Sequence, residues 1–213
     1  MTARYGDAVP APLERVTLTG QHVQLEPLSP HHADALVAAA NVDRGTYDYT
    51  DVPSTPEAMR HYIDKLLADH AAGSVLPFAQ RRLDTGELAG CTRYLDIKWW
   101  RDRADPDEVE IGGTWLAASA QRTPINTEAK LLLLSHAFER LGVWRVAICT
   151  DALNERSRTA ILRIGATFEG VLRNHRLRYN TDPPAPRDTA VFSITDDEWP
   201  TVKARLDGML GRL

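Results

Sequence analysis

Apolar and polar residues alternate along His22–Leu28 (HVQLEPL), the period-two pattern of a strand with one buried face. Ser29-Pro30 breaks that run: Ser29 suits a helix cap and Pro30 a first helical position, so the alanine-rich His32–Asn41 is expected to be helical. A second start signal, Ser54-Thr55-Pro56-Glu57, precedes Met59, Tyr62, Ile63, Leu66 and Leu67 at helical spacing, and Gly73 ends that segment. Val75–Leu83 and Glu87–Ile97 are strand-like and flank Asp84-Thr85-Gly86, which predicts a hairpin. After a polar loop over Trp99–Glu108, a strand is expected at Val109–Leu116. Its Gly112-Gly113 pair predicts a bulge or a close backbone approach by a ligand.

The strongest helical pattern is Asn126–Leu141, with Ala129, Leu132, Leu133, Ala137 and Leu141 as its apolar set, Asn126 as candidate cap and Gly142 as terminator. Val143–Thr150 is β-rich, and Asn154–Ile164 is a second helix closed by Gly165. A long strand over Thr167–Tyr179, a proline-rich loop at 182–186 and a strand over Thr189–Thr195 follow. Asp196 or Thr195 is expected to cap a last helix, Glu198–Leu210. The order is β-α-α-β-β-β-α-β-α-β-β-α without internal repeat. It predicts an α/β fold: a mixed, partly parallel central sheet with flanking helices.

A chain of 213 residues suffices for one compact domain. A flexible arm is expected over residues 1–15, because MTARYGDAVPAPLERV lacks the apolar segment of a signal peptide; a single domain is expected over 16–213. The net charge of −4 gives no global attraction to nucleic acid or an anionic membrane. The longest apolar run, Leu131–Leu134, is far short of a membrane span. Cys91 and Cys149 sit in apolar strand-like stretches and are expected to be buried free thiols of a cytoplasmic protein. No Cys/His spacing suits a metal, and the adjacent His31-His32 are expected to be solvated at a helix start.

Candidate chemistry concentrates between Glu110 and Arg173. There a strand leads into a turn, a helix N-terminus, a second strand and an Asn-opened helix. A helix N-terminus offers unpaired N–H groups and partial positive charge to a pyrophosphate. Two diverging parallel strands expose backbone edges to an extended ligand. This block resembles the acetyl-CoA core of GNAT acetyltransferases. The strings TPINTEAKLLL (123–133) and DALNERS (151–157), with DDEWP (196–200), are similar to the RimJ/RimL-like branch. In element order the resemblance covers Val16–Leu206, and it implies the GNAT fold.

The resemblance implies a cofactor-binding set of Leu116, Ala117, Gln121, Arg122, Thr123, Ile125, Asn126, Thr127, Asn154 and Ser157, with no metal. The family's pyrophosphate loop usually reads Gln/Arg-x-x-Gly-x-Gly/Ala; here Pro124 and Asn126 fill both glycine positions. Proline lacks an N–H, so one phosphate contact is missing, and Thr123, Asn126 or Arg122 could substitute for it. Glu110 matches the position of the general-base glutamate of histone acetyltransferases in this superfamily; the other reading is a surface charge paired with Arg93 or another cation. Ser157 matches a serine proposed to assist the CoA thiolate, since the usual tyrosine position holds Ile161. A backbone N–H near Leu116 or Ala117 would meet the oxyanion.

The acceptor pocket is expected from the variable segments, with Tyr47, Tyr49, Asp51, Trp99 and Trp115 as lining candidates beside Asp48 and Trp100. Arg173, His175, Arg176 and Arg178 form a basic strand, read as an anchor for an acidic substrate, a ribosomal surface or an RNA, or as a solvated face. The implied activity is acetyl-CoA-dependent transfer of an acetyl group to a primary amine, either a protein N-terminal α-amine or a small molecule. A non-catalytic CoA sensor and an aminoacyl-tRNA-dependent transferase on the same scaffold are the alternatives; the acidic net charge counts against the latter. The expected partners are acetyl-CoA and the amine acceptor, without membrane or nucleic acid, and a homodimer is plausible by analogy.

Overall fold

A computed structural model describes residues 11–178 and 181–211. Most of the expected arm (residues 1–10) and the predicted strand end at Tyr179 lie outside the described residues. Where the arm is described, it is packed: Leu13 is buried in the core, its carbonyl accepts from His70 Nε2, and Arg15 donates to Leu28 O. The packed chain thus begins before residue 16.

Eight strands form one sheet: β1 (Leu18–Thr19), β2 (Val23–Pro27), β3 (Leu76–Arg82), β4 (Leu88–Lys98), β5 (Glu108–Leu116), β6 (Arg145–Asp151), β7 (Thr167–Arg178) and β8 (Ala185–Thr195). Their order is β1-β2-β3-β4-β5-β6-β8-β7. Every neighbouring pair is antiparallel except β5 and β6. Parallel neighbours need a crossover. Here it is α3 (Pro124–Ser135), which packs on the face formed by Val109 and Ile111 of β5, Val146 and Ile148 of β6, and Phe192. On the other side α1 (Ala33–Ala40) and α2 (Pro56–Ala71) cover Ala79, Leu88, Cys91 and Trp115. The last two helices are α4 (Glu155–Arg163) and α5 (Trp199–Leu210).

Several local expectations change. Thr123, not Asn126, is the cap of α3, and Pro124 takes the first helical position. The helix does not run regularly to Leu141: Tyr94 Oη donates to Leu133 O at 2.5 Å, and a π-helical segment, His136–Leu141, follows before left-handed Gly142. A hydroxyl inserted at a helix carbonyl is a recognised cause of such a break. Neither Asp196 nor Thr195 caps α5; Glu198 does, and its carboxylate accepts from Thr195 N. His32 is buried rather than solvated, with Nδ1 accepting from Ser29 N and Nε2 on Glu26. The strand at 189–195 starts earlier, at Ala185, and the proline-rich segment forms its first part.

One buried carboxylate ties α3 to the sheet edge. Glu128 accepts from the backbone N–H groups of Gln21, His22 and Val23 at 2.8, 2.6 and 2.8 Å. Removing it leaves three donors without an acceptor, at roughly 2–4 kcal/mol in total. Glu128→Ala is therefore expected to lower Tm by roughly 5–15 °C in a calorimetric scan, whereas Glu128→Gln, which keeps one acceptor oxygen, should lose less.

Candidate active site

β5 and β6 pair only from Glu108↔Arg145 to Glu110↔Ala147, although β5 continues to Leu116 and β6 to Asp151. Beyond Glu110 the two strands part. The β4–β5 ladder is irregular at the same level, between Cys91 and Arg93, as the glycine pair predicted. Gly113 has φ +56°, and a Cβ there would lie 2.4 Å from the Arg93 guanidinium carbon. At Gly112 a Cβ would stand 3.0 Å from Glu110 Oε1, so the glycine leaves room for that carboxylate.

The divergence opens a cavity of about 1520 Å³ between the strands, the N-termini of α3 and α4, and the Thr46–Asp51 segment. At one end the turn before α3 presents free donors. Arg122 adopts φ +60°, and the N–H groups of Arg122 and Thr123 have no partner among the described residues. Thr123 Oγ1 donates to Ala120 O at 2.6 Å, and Gln121 Nε2 to Leu116 O at 3.0 Å, which fixes the turn. Arg122 and Arg163 border this end, Arg163 donating to Thr127 Oγ1, while Arg156 lines the cavity and donates to Thr46 O. The Oδ1 of Asn126 is buried there without a partner. Asn154 caps α4 by accepting from Ser157 N at 3.0 Å, and both side chains border the cavity.

On the cavity floor Glu110 is 4% exposed, and both its oxygens accept from Arg176, at 3.0 and 2.6 Å. Arg176 also binds Asp96, and Arg178 binds Asp151. Glu110 is thus buried rather than a surface charge, and it is paired with a cation as the alternative reading allowed, though with Arg176 and not Arg93. The expected basic strand is likewise divided: Arg176 and Arg178 turn into the cavity, while Arg173 and His175 are exposed. Cys91 and Cys149 are free thiols; Cys91 is buried and Cys149 half-buried at the cavity wall. Burial, reinforced by the Glu110 charge, pushes the Cys149 thiol up to about 12.

A family model described as "Acetyltransferase (GNAT) domain" matches residues 22–167. The chain belongs to the GNAT acetyltransferase family, and so to the acyltransferases. It is 32% identical to a GCN5-related N-acetyltransferase from Brucella melitensis, with a TM-score of 0.79 over 95% of this chain and 89% of that one. YdaF of Bacillus subtilis (strain 168), provisionally named a ribosomal N-acetyltransferase, is 42% identical over 92 residues. That match covers 43% of this chain and about half of YdaF (48%). Mycobacterium smegmatis RimJ, solved with CoA-disulfide, superposes with a TM-score of 0.77 over 93% of this chain and 97% of its own, at 22% identity. These neighbours agree with a RimJ/RimL-like placement within the GNAT family.

The GNAT coenzyme, acetyl-CoA, fits what the cavity offers. Unpaired N–H donors, the guanidinium groups of Arg122 and Arg163 and a parted strand pair suit an anionic diphosphate with an extended arm. Pro124 at the first helical position costs α3 no intrahelical bond, but it has no N–H to offer a phosphate. Most of the residues singled out from sequence border this one cavity: Glu110, Ser157, Leu116, Gln121, Arg122, Thr123, Asn126, Thr127, Asn154, Tyr47, Tyr49, Asp51 and Trp115. Three do not. Ile125 and Ala117 are buried away from it, and Ala117 spends its N–H on Ala89 O at 2.7 Å, which removes it as an oxyanion donor. Trp99 follows the far end of β4, beyond the Lys98↔Glu108 pair where β5 begins, and so sits at the opposite end of the sheet from the turn.

Sequence reasoning missed Arg93, Arg163, Arg187 and Lys130, all of which border the cavity. Lys130 carried one legible signal, a cation inside the most apolar helix. It is buried, and its Nζ donates to Thr114 Oγ1 at 3.0 Å. Burial pushes it down from 10.5 to about 8. Below pH 8 both folded and unfolded chains hold this proton, and the cost of burying the charge is felt in full. Between about pH 8 and 10.5 the unfolded chain holds more of it, so the cost declines as pH rises. In paired urea melts without ligand, Lys130→Met should be more stable than wild type by roughly 1–3 kcal/mol at pH 7, and the difference should shrink between pH 8 and 10.

Proposed function

We propose that this GNAT protein is an acetyl-CoA-dependent N-acetyltransferase. It moves an acetyl group to a primary amine, a protein N-terminal α-amine or a small-molecule amine, by direct attack in a ternary complex. The observation that carries this reading is the meeting, in one cavity, of a donor-rich cationic turn with a buried carboxylate where β5 and β6 part. The coenzyme supplies an activated acetyl thioester; the rest falls to the chain. Arg122, Thr123 and Arg163 hold the diphosphate, and the free amide nitrogen of Asn154 holds the arm beside Ser157. An amine with pKa near 10.4 arrives protonated at neutral pH. Glu110, its orientation fixed by Arg176, takes that proton directly or through a water. Ser157, half-buried on the first turn of α4, donates toward the departing sulfur. The Cys149 thiol stays protonated at neutral pH, which disfavours a covalent route through it and supports direct attack.

The domain assignment follows the same reading: one GNAT domain, of cytoplasmic location, in which no helix among the described residues is long and apolar enough to cross a membrane. A homodimer is proposed on the edge strand β7, where Val171, Leu172 and Leu177 are 45%, 47% and 50% exposed.

Titration calorimetry should detect acetyl-CoA binding, and Arg122→Ala and Arg163→Ala should each weaken it about tenfold. An absence of affinity for acetyl-CoA would remove the transferase reading. In a thiol-release assay over an amine panel, Glu110→Gln should lower kcat by roughly 10²–10⁴ and alter the pH–rate profile. An unchanged profile would place the base elsewhere. Ser157→Ala should cost about tenfold in kcat while leaving coenzyme affinity unchanged.

A further inference from the structure

The β6–β8–β7 side of the cavity carries one cation with which no carboxylate among the described residues forms a direct ion pair. Arg176 is held by Glu110 and Asp96, and Arg178 by Asp151. Arg187, half-buried on β8, borders the same cavity and forms no ion pair among the described residues. Its guanidinium donates only to Thr189 Oγ1, at 3.1 and 3.3 Å. It also stands directly opposite Arg176 across the β7–β8 ladder. Like charges at opposed positions destabilise an antiparallel pair, and partial burial adds a desolvation cost. Burial and the neighbouring Arg176 hold Arg187 below the usual arginine range, against the weaker opposing pull of Asp151 and Glu110. The arrangement is unfavourable in the free protein and becomes favourable when an oxyanion enters, because a guanidinium fork matches a carboxylate with two parallel bonds.

Glu110 and Arg187 also lie on either side of Arg176: one accepts from it, the other faces it across the ladder. The cavity therefore offers a carboxylate for an ammonium and, one side chain away, a guanidinium for an anion. We infer that Arg187 is an anion subsite of the acceptor pocket, and that the amine acetylated here also carries a carboxylate. That carboxylate belongs either to a small amino acid or to an acidic side chain next to a peptide's N-terminal amine. The subsite rests on the transferase reading for the role of its ligand, although its anion preference can be measured by binding alone.

Two matched pairs test it by calorimetry on the full chain, with and without saturating CoA: β-alanine against β-alaninamide, and the amidated dipeptides alanyl-glutamate and alanyl-glutamine. In at least one pair the carboxylate member should bind about tenfold more tightly than its amide, and that pair identifies which source the pocket takes. Arg187→Gln should bring the ratio within about twofold, and Arg187→Lys should keep part of it. Neither variant should change CoA affinity. Thermal stability of Arg187→Gln should not fall, since a like-charge pair is relieved. Equal binding of acid and amide in both pairs, or a preference that survives Arg187→Gln, would overturn the proposal. So would a loss of CoA affinity in Arg187→Gln, which would assign the arginine to the coenzyme. Failure to bind CoA at all would sink the transferase reading instead, while the acid-to-amide ratio would still decide the subsite.

Discussion

The separation of β5 from β6 is the constraint on which the rest of the molecule depends. Parallel strands ordinarily satisfy each other's backbone groups along their length. Here three residue pairs do so, and then the bulge at Gly112-Gly113 turns β5 away. The edges left beyond Glu110 have no strand partner on that side, and unpaired backbone groups away from water are costly unless something else bonds them. An extended ligand arm is such a partner. The same divergence sets the distance between the N-termini of α3 and α4, and so places the diphosphate turn and Asn154 at one mouth.

Strand alternation explains why charge gathers on one side of this opening. Val109, Ile111, Val146 and Ile148 point toward α3 and the main core. Glu110, Cys149 and Asp151 therefore point the other way, into the cavity. Cross-strand pairing continues that face through Thr189 to Arg187. A sheet that must bury one face and hold a polar ligand on the other has few ways to neutralise its charges. Glu110–Arg176 and Asp151–Arg178 are the pairs it makes, and Arg93 and Arg187 form no ion pair among the described residues.

The cavity holds features that lower the stability of the free protein. Lys130 is buried against a threonine hydroxyl, and the Oδ1 of Asn126 is buried without a partner among the described residues. Arg122 takes a left-handed conformation that a non-glycine residue adopts at some cost. Such costs collect where a protein is organised to receive something. They contrast with the other end of α3, where Glu128 satisfies three backbone donors, and with the closely packed face beneath.

The sequence determined the element order almost completely, because apolar periodicity and the Ser/Thr/Pro and Gly signals are local and survive without tertiary context. It also made the proposed coenzyme half of the site legible, since a strand, turn and helix N-terminus contiguous in the chain carry their chemistry together. Tertiary structure alone decided the proposed acceptor half. Arg176 and Arg187, on the paired strands β7 and β8, lie far in sequence from Glu110 on β5, and only the sheet brings them to one cavity. It also decided that Tyr94 interrupts α3, that His32 is buried and that Trp99 lies at the wrong end of the sheet. Spacing along a chain fixes which face of an element a residue occupies, but which faces meet is a property of packing.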